Sequence, residues 1–164
     1  MVWDPITGDR KVLPKPDGKQ FCSHSGAVLC AAEGCDDHRD CRGGPFLVLL
    51  VGYSATASGV ASAWVYSSEA AAWSAPASVQ IDARFLVTEA KRGAIVGEQI
   101  HFFLRPEKRN YAAILKFDLR RRWLSVVRLR TGCLNAKALK LMPMEDAPWG
   151  SPALSVQPST CGRR

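Results

Sequence analysis

Three segments of the chain repeat one local pattern, and this repeat limits the fold more than any other feature. They are VWDPITGDRKVLP from Val2, WVYSSEAAAWSAP from Trp64 and LKFDLRRRWLSVV from Leu115. Each places an aromatic residue and then Asp or Ser before a turn, and each returns as a second strand. The first carries a full set of turn residues. Pro5 fixes φ near the value a first turn residue needs, Asp4 can accept hydrogen bonds from amides just ahead, and Gly8 reaches positive φ without steric cost. The SSEAAAW and DLRRRW versions keep the polar opening residue but lack the glycine, so they must turn differently or carry strain.

Strand signals dominate the rest. Short β-branched or aromatic runs, bounded by Gly, Pro, Asp and Ser, recur with no sustained 3.6-residue periodicity, which makes the chain all-β. The aligned aromatics Trp3, Tyr66 and Phe117 stand 63 and 51 residues apart, near the ~50-residue period of kelch-type propeller blades. Between the matched hairpins lie two further strand pairs. One joins residues 26–33 to 46–53; the other joins 93–96 to 99–104 through Gly97 and Glu98. Four strands per unit follow. The expected fold is a partial, open β-propeller with two nearly complete four-stranded antiparallel blades, residues 24–78 and 84–130. The last two strands of an earlier blade precede them, and a further blade opens at 138–143. Trp64, Tyr66, Trp73, Phe117 and Trp123 recur at matching blade positions and are expected to form the core between blades.

Composition excludes several classes. With 164 residues, 47% hydrophobic and 23% charged, the chain can bury a core and is not of the disordered type. The longest apolar run, PFLVLLVGY, is far short of the roughly 20 residues a spanning helix needs. No basic region followed by an apolar stretch opens the sequence, so a cytoplasmic or nuclear setting is expected, with the six cysteines reduced. The net charge of +7 is local. Residues 105–140 hold 11 Lys or Arg against 2 acidic residues, and the remainder sums to −2.

The pieces VWDPITGDRKVLP, AVLCAAEGCDDHRDCRGGPFLVLLVG, VYSSEAAAWSAPASV, AIVGEQIHFFL, ILKFDLRRRWLSVV and LMPMEDA, in that order, resemble the F-box-associated β-propeller region of plant F-box proteins, the grass set above all. The resemblance covers residues 2–147 and leaves 148–164 as an irregular tail rich in Pro, Ser and Arg. It implies a non-enzymatic protein-interaction module that presents a substrate protein for ubiquitination. In that family an amino-terminal F-box docks on a Skp-type adaptor. No F-box pattern occurs in this sequence, so an adaptor is a partner only if an F-box lies elsewhere in the gene product. An open set of about three units leaves apolar edges that call for a partner.

Two groups of residues invite a rival reading, a zinc-stabilised or basic nucleic-acid-binding β module. Cys30, Cys35, His38 and Cys41 would give Zn²⁺ three thiolates and an imidazole, a sound ligand count. The spacing lacks a second paired knuckle, so the favoured reading of 34–46 is an inter-strand loop fixed by Gly43, Gly44 and Pro45, with no cofactor. Lys108, Arg109, Arg120, Arg121, Arg122, Arg128 and Arg130 form the candidate basic patch. No stacking aromatics interleave with them, so a solvated basic face is favoured over a nucleic-acid site. Catalysis finds no support, since His24, His38 and His101 adjoin no nucleophile or metal motif. His101 alternates with Ile100 and Phe102 and is expected to be an outward or hydrogen-bonded sheet residue.

Overall fold

The computed structural model describes residues 1–4, 7–16, 23–33, 35, 43–54, 59–81, 85–87, 93–106, 111–130, 140–144 and 153–157. Among them there is no helix, and so none long and apolar enough to cross a membrane. Within the described residues fourteen strands form four separate antiparallel sheets, none closed on itself.

Sheet I is the hairpin β1 (Val2–Trp3) and β2 (Arg10–Lys11). Sheet II runs β3 (Ser23–Cys30), β4 (Phe46–Ser54), β5 (Val60–Ser67), and its fourth place is shared by β6 (Ala72–Trp73) and β7 (Ala77–Gln80), both paired with β5. Pro76 explains the split, because it lacks the N–H that a continuous ladder would use. Ser74 bridges the gap. Its N–H donates to Val65 O at 2.8 Å, and its Oγ accepts from the Val65 N–H at 3.2 Å.

Sheet III repeats this meander. Its first place is shared by β8 (Phe85–Val87) and β9 (Ala94–Val96), both paired with β10 (Gln99–Pro106), followed by β11 (Tyr111–Asp118) and β12 (Trp123–Arg130). Sheet IV pairs β13 (Lys140–Met144) with β14 (Ala153–Gln157). The tail expected to be irregular thus contributes a strand. Leu154 and Val156 alternate with Ser155, a period of two that the neighbouring Pro and Ser residues obscure.

The hairpins β1–β2, β5–β6 and β11–β12 share one turn. Trp3 faces Arg10, Tyr66 faces Trp73 and Phe117 faces Leu124, seven residues on in each case. The residue after each aromatic caps the turn with its side chain. Asp4 Oδ1 accepts from Thr7 N at 3.4 Å, Ser67 Oγ from Ala70 N at 3.3 Å and Asp118 Oδ1 from Arg121 N at 2.8 Å. The fifth residue beyond the aromatic is left-handed in all three, with φ of 80° at Gly8, 50° at Ala71 and 51° at Arg122. The two segments without glycine therefore keep the same turn and carry the strain.

Sheets II and III pack face to face, with β8 against β3 and β4, and β7 against β12. The core lies between them. Leu49, Val51, Tyr53, Ala61, Ala63 and Val65 from sheet II meet Ile100, Phe102, Leu104, Leu115, Phe117 and Leu124 from sheet III. Alternation sends every second residue to the opposite faces. On sheet II these are the buried Ser62, Trp64 and Tyr66; on sheet III they are the buried Ala94, Val96, His101, Phe103 and Ile114. Phe117 lies in the core between the two sheets and Trp64 and Tyr66 are buried on the other face of sheet II, but Trp123 is 65% exposed. It sits at the hairpin end of β12, where no described residue covers that face.

Candidate functional site

The hairpin turns gather at one rim of the sheets. In sheet II the backbone N–H of Ser68 donates to Phe46 O at 3.0 Å and Ser68 Oγ accepts from Phe46 N at 2.8 Å, joining the β5–β6 tip to the end of β4. In sheet III the N–H of Leu119 donates to Glu98 O at 2.9 Å, joining the β11–β12 tip to the Gly97–Glu98 turn. The loop between β3 and β4 and the Gly97–Glu98 turn therefore hold equivalent places.

At this rim a cleft of about 650 Å³ opens between sheet I and sheet II. One wall is the hairpin, with Trp3, Asp4, Asp9, Arg10 and Lys11. The other is the end of β3 and β4, with Val28, Cys30 and residues 43–46. The Lys11 ammonium sits 5.3 Å from the centre of the Phe46 ring, a cation–π contact across the cleft. Trp3 and Val28 are 55% and 52% exposed. Charged groups of both signs thus rim an apolar floor.

Below the cleft the hairpin is anchored by aromatic contacts. Trp73 Nε1 donates to Pro14 O at 2.8 Å, and the Trp73 and Tyr66 rings lie 5.3 Å apart at 59°. These tie the segment after β2 to the outer face of sheet II. A second cleft of about 440 Å³, lined by Leu13, His24, Val48 and Leu50 among others, separates the two.

The proposed metal ligands divide. Cys30 and Cys35 are half-buried, and Cys30 Sγ accepts from Ala32 N at 3.4 Å. His38 and Cys41 lie outside the described residues. Among the described residues no group of three or more His, Cys, Asp or Glu side chains is placed to hold a metal.

The basic residues also divide. Arg120, Arg121 and Arg122 are exposed at the β11–β12 tip, where Arg120 Nε meets Glu98 Oε2 at 3.6 Å. Arg128 and Arg130 stand opposite Ala113 and Tyr111 on one face of the ladder. Arg128 is six residues beyond Arg122, about 20 Å along an extended strand, so it does not join the tip cluster. Lys108 and Arg109 lie outside the described residues.

His101 takes the face of sheet III that alternation assigns, opposite to the core-facing Ile100 and Phe102, and is covered there. It is buried on the face of sheet III away from the core, opposite Ala94 and Lys116, and its Nδ1 has no hydrogen-bond partner. Burial lowers its pKa from the ordinary 6.5; the Ala94 backbone opposes this in part, and Lys116 adds to it. The imidazole thus packs the outer face of sheet III with its pKa lowered.

The cleft is the feature that sequence reasoning missed. Its walls come from segments far apart in the chain, and the only local signal was Trp3 beside a well-formed turn. Comparison with known proteins finds no family model, no curated protein and no solved structure that matches this chain.

Proposed function

We propose that the chain is a non-enzymatic protein-interaction module, an open β-propeller of the F-box-associated kind that holds a substrate protein for ubiquitination. The observation that carries this reading is the hairpin that recurs three times, twice as the last two places of a four-place sheet, with those two sheets packed face to face. This is the repeat logic of propeller blades. Its rim bears the loops and the 650 Å³ cleft, and loops on a rigid scaffold are where recognition concentrates. Docking on a Skp-type adaptor requires an F-box elsewhere in the gene product.

The test is affinity capture from plant extract with the purified chain, followed by peptide identification, comparing wild type with Val28→Glu. Val28 is half-exposed in the cleft wall, so the substitution leaves the core intact and places a charge on the apolar floor. A partner captured by the wild type and lost with the variant supports the reading. Equal capture by both removes the cleft from it, and capture of nucleic acid alone replaces it with the rival class.

A further inference from the structure

The β5–β6 and β11–β12 hairpins share one backbone frame and differ in what they carry at the tip. Glu69, Ala70, Ala71 and Ala72 stand in the first where Arg120, Arg121, Arg122 and Trp123 stand in the second, and all of them are exposed. The same cap and the same left-handed residue recur in both. The turn therefore forms without arginine or tryptophan. Trp123 is 65% exposed, and what lies beyond sheet III does not account for it. Ala72 holds the equivalent place in sheet II, which has sheet III packed against it, and is exposed all the same. That place lies at the rim, outside the packed faces.

The tip is also stiff and unbalanced in charge. Asp118 Oδ1 accepts from the Arg121 N–H at 2.8 Å, the Leu119 N–H donates to Glu98 O at 2.9 Å, and the Leu119 side chain packs against the core. A partner meeting such a tip has little backbone to order. Asp118 is committed to the turn, and Glu98 meets Arg120 at 3.6 Å. Among the described residues Arg121 and Arg122 have no acidic partner. Two unmatched guanidinium groups beside an indole in water combine the residue types that dominate protein interfaces.

We propose that the β11–β12 tip docks an acidic segment of a partner protein, with carboxylates on Arg121 and Arg122 and an adjoining aromatic or aliphatic side chain on Trp123. Guanidinium forks match carboxylates in paired hydrogen bonds, and an indole face gains from packing against another ring. Nucleic acid fits less well. Arg128 lies about 20 Å along the strand, so the tip reaches few phosphates. Phe102, Phe103 and Phe117 are buried, which leaves one ring at the tip where successive bases would need several. This surface is separate from the cleft between sheets I and II and goes beyond the function proposed above. It uses sheet III alone, whatever the arrangement of the other sheets.

The probe is a fluorescent heptapeptide, Asp-Glu-Asp-Phe-Asp-Glu-Asp, titrated with the purified chain and followed by anisotropy. Trp123→Ala, Arg122→Gly and replacement of the peptide's Phe by Ala should each weaken binding about tenfold or more. Arg128→Ala removes the same charge away from the tip, at an exposed position, and should change the affinity by less than about twofold in physiological salt. Arg122→Gly relieves a left-handed backbone, so its loss of binding cannot be laid to misfolding, and circular dichroism checks the other variants. No binding of the peptide, an affinity indifferent to Trp123→Ala, or equal losses from Arg122→Gly and Arg128→Ala each overturn the proposal. Tighter binding of a seven-nucleotide thymidine strand than of the peptide, lost with Trp123→Ala, overturns it in favour of nucleic acid. Capture sensitive to Val28→Glu reports on the cleft alone, so the two surfaces stand or fall separately.

Discussion

Ala71 and Arg122 hold the same left-handed backbone, φ 50° and 51°, each five residues beyond a buried aromatic and each at the end of a turn capped by the side chain four residues earlier. Gly8 fills this place in the first hairpin. A non-glycine residue there costs roughly 1 kcal/mol. Arg122→Gly and Ala71→Gly are therefore expected to raise stability, by up to about 1 kcal/mol once the extra freedom of glycine in the unfolded chain is counted. Gly8→Ala should lower it by a similar amount. Urea denaturation of the three variants checks the sign of each.

The caps are expected to matter more than the charges beside them. Asp118→Ala leaves the Arg121 amide without its 2.8 Å acceptor and should cost about 1 kcal/mol, with Asp118→Asn recovering most of it. Glu98→Gln breaks only the 3.6 Å contact with Arg120, whose side chains are 61% and 79% exposed. That loss should stay below about 0.5 kcal/mol and vanish in high salt. The same denaturation curves at two salt concentrations separate the cases.

Phe117→Ala removes a ring that is 1% exposed between sheets II and III. A loss of about 3–5 kcal/mol is expected, enough to unfold a marginal domain, whereas Phe117→Leu should retain much of it. Thermal unfolding followed by circular dichroism distinguishes the two. Should the alanine variant unfold no earlier than wild type, the face-to-face packing is not what holds the sheets.

His101 sets a pH dependence. Its pKa in the folded chain lies below 6.5, chiefly through burial, so below that value the unfolded chain binds more protons than the folded one. Stability is then complete above about pH 6.5 and falls as the pH is lowered. His101→Phe, which keeps a ring of similar shape beside Phe103 and Ile114, should flatten the slope between pH 7 and 5. An unchanged slope would place the titrating group elsewhere.

Much of this fold is legible in the sequence because the turns are local. Asp4 and Gly8 announce the first hairpin by themselves, and the missing glycines at 71 and 122 announce strain that the backbone then shows. The strand pairs on either side of Gly97 follow for the same reason. The three-residue β8 does not stand out, and neither does the split between β6 and β7, since both depend on which edge of a neighbour is available. Burial is legible only in part. Alternation assigns His101 to a face, but what covers that face is decided by β13, some forty residues later. The cleft is illegible for the same reason, because Trp3 and Lys11 meet Val28 and Phe46 only after two sheets have come together.

Because the shared hairpin frame is held by its capping side chain and one left-handed residue, the two positions just before that residue are exposed in the second and third hairpins, whereas Ser68 still holds Phe46 and Leu119 packs against the core. These exposed pairs read Glu-Ala in the second hairpin and Arg-Arg in the third. An acidic and a basic fingertip are thus mounted on one interchangeable knuckle, and the surface chemistry of the rim is open to rewriting at those pairs without disturbing the sheets beneath.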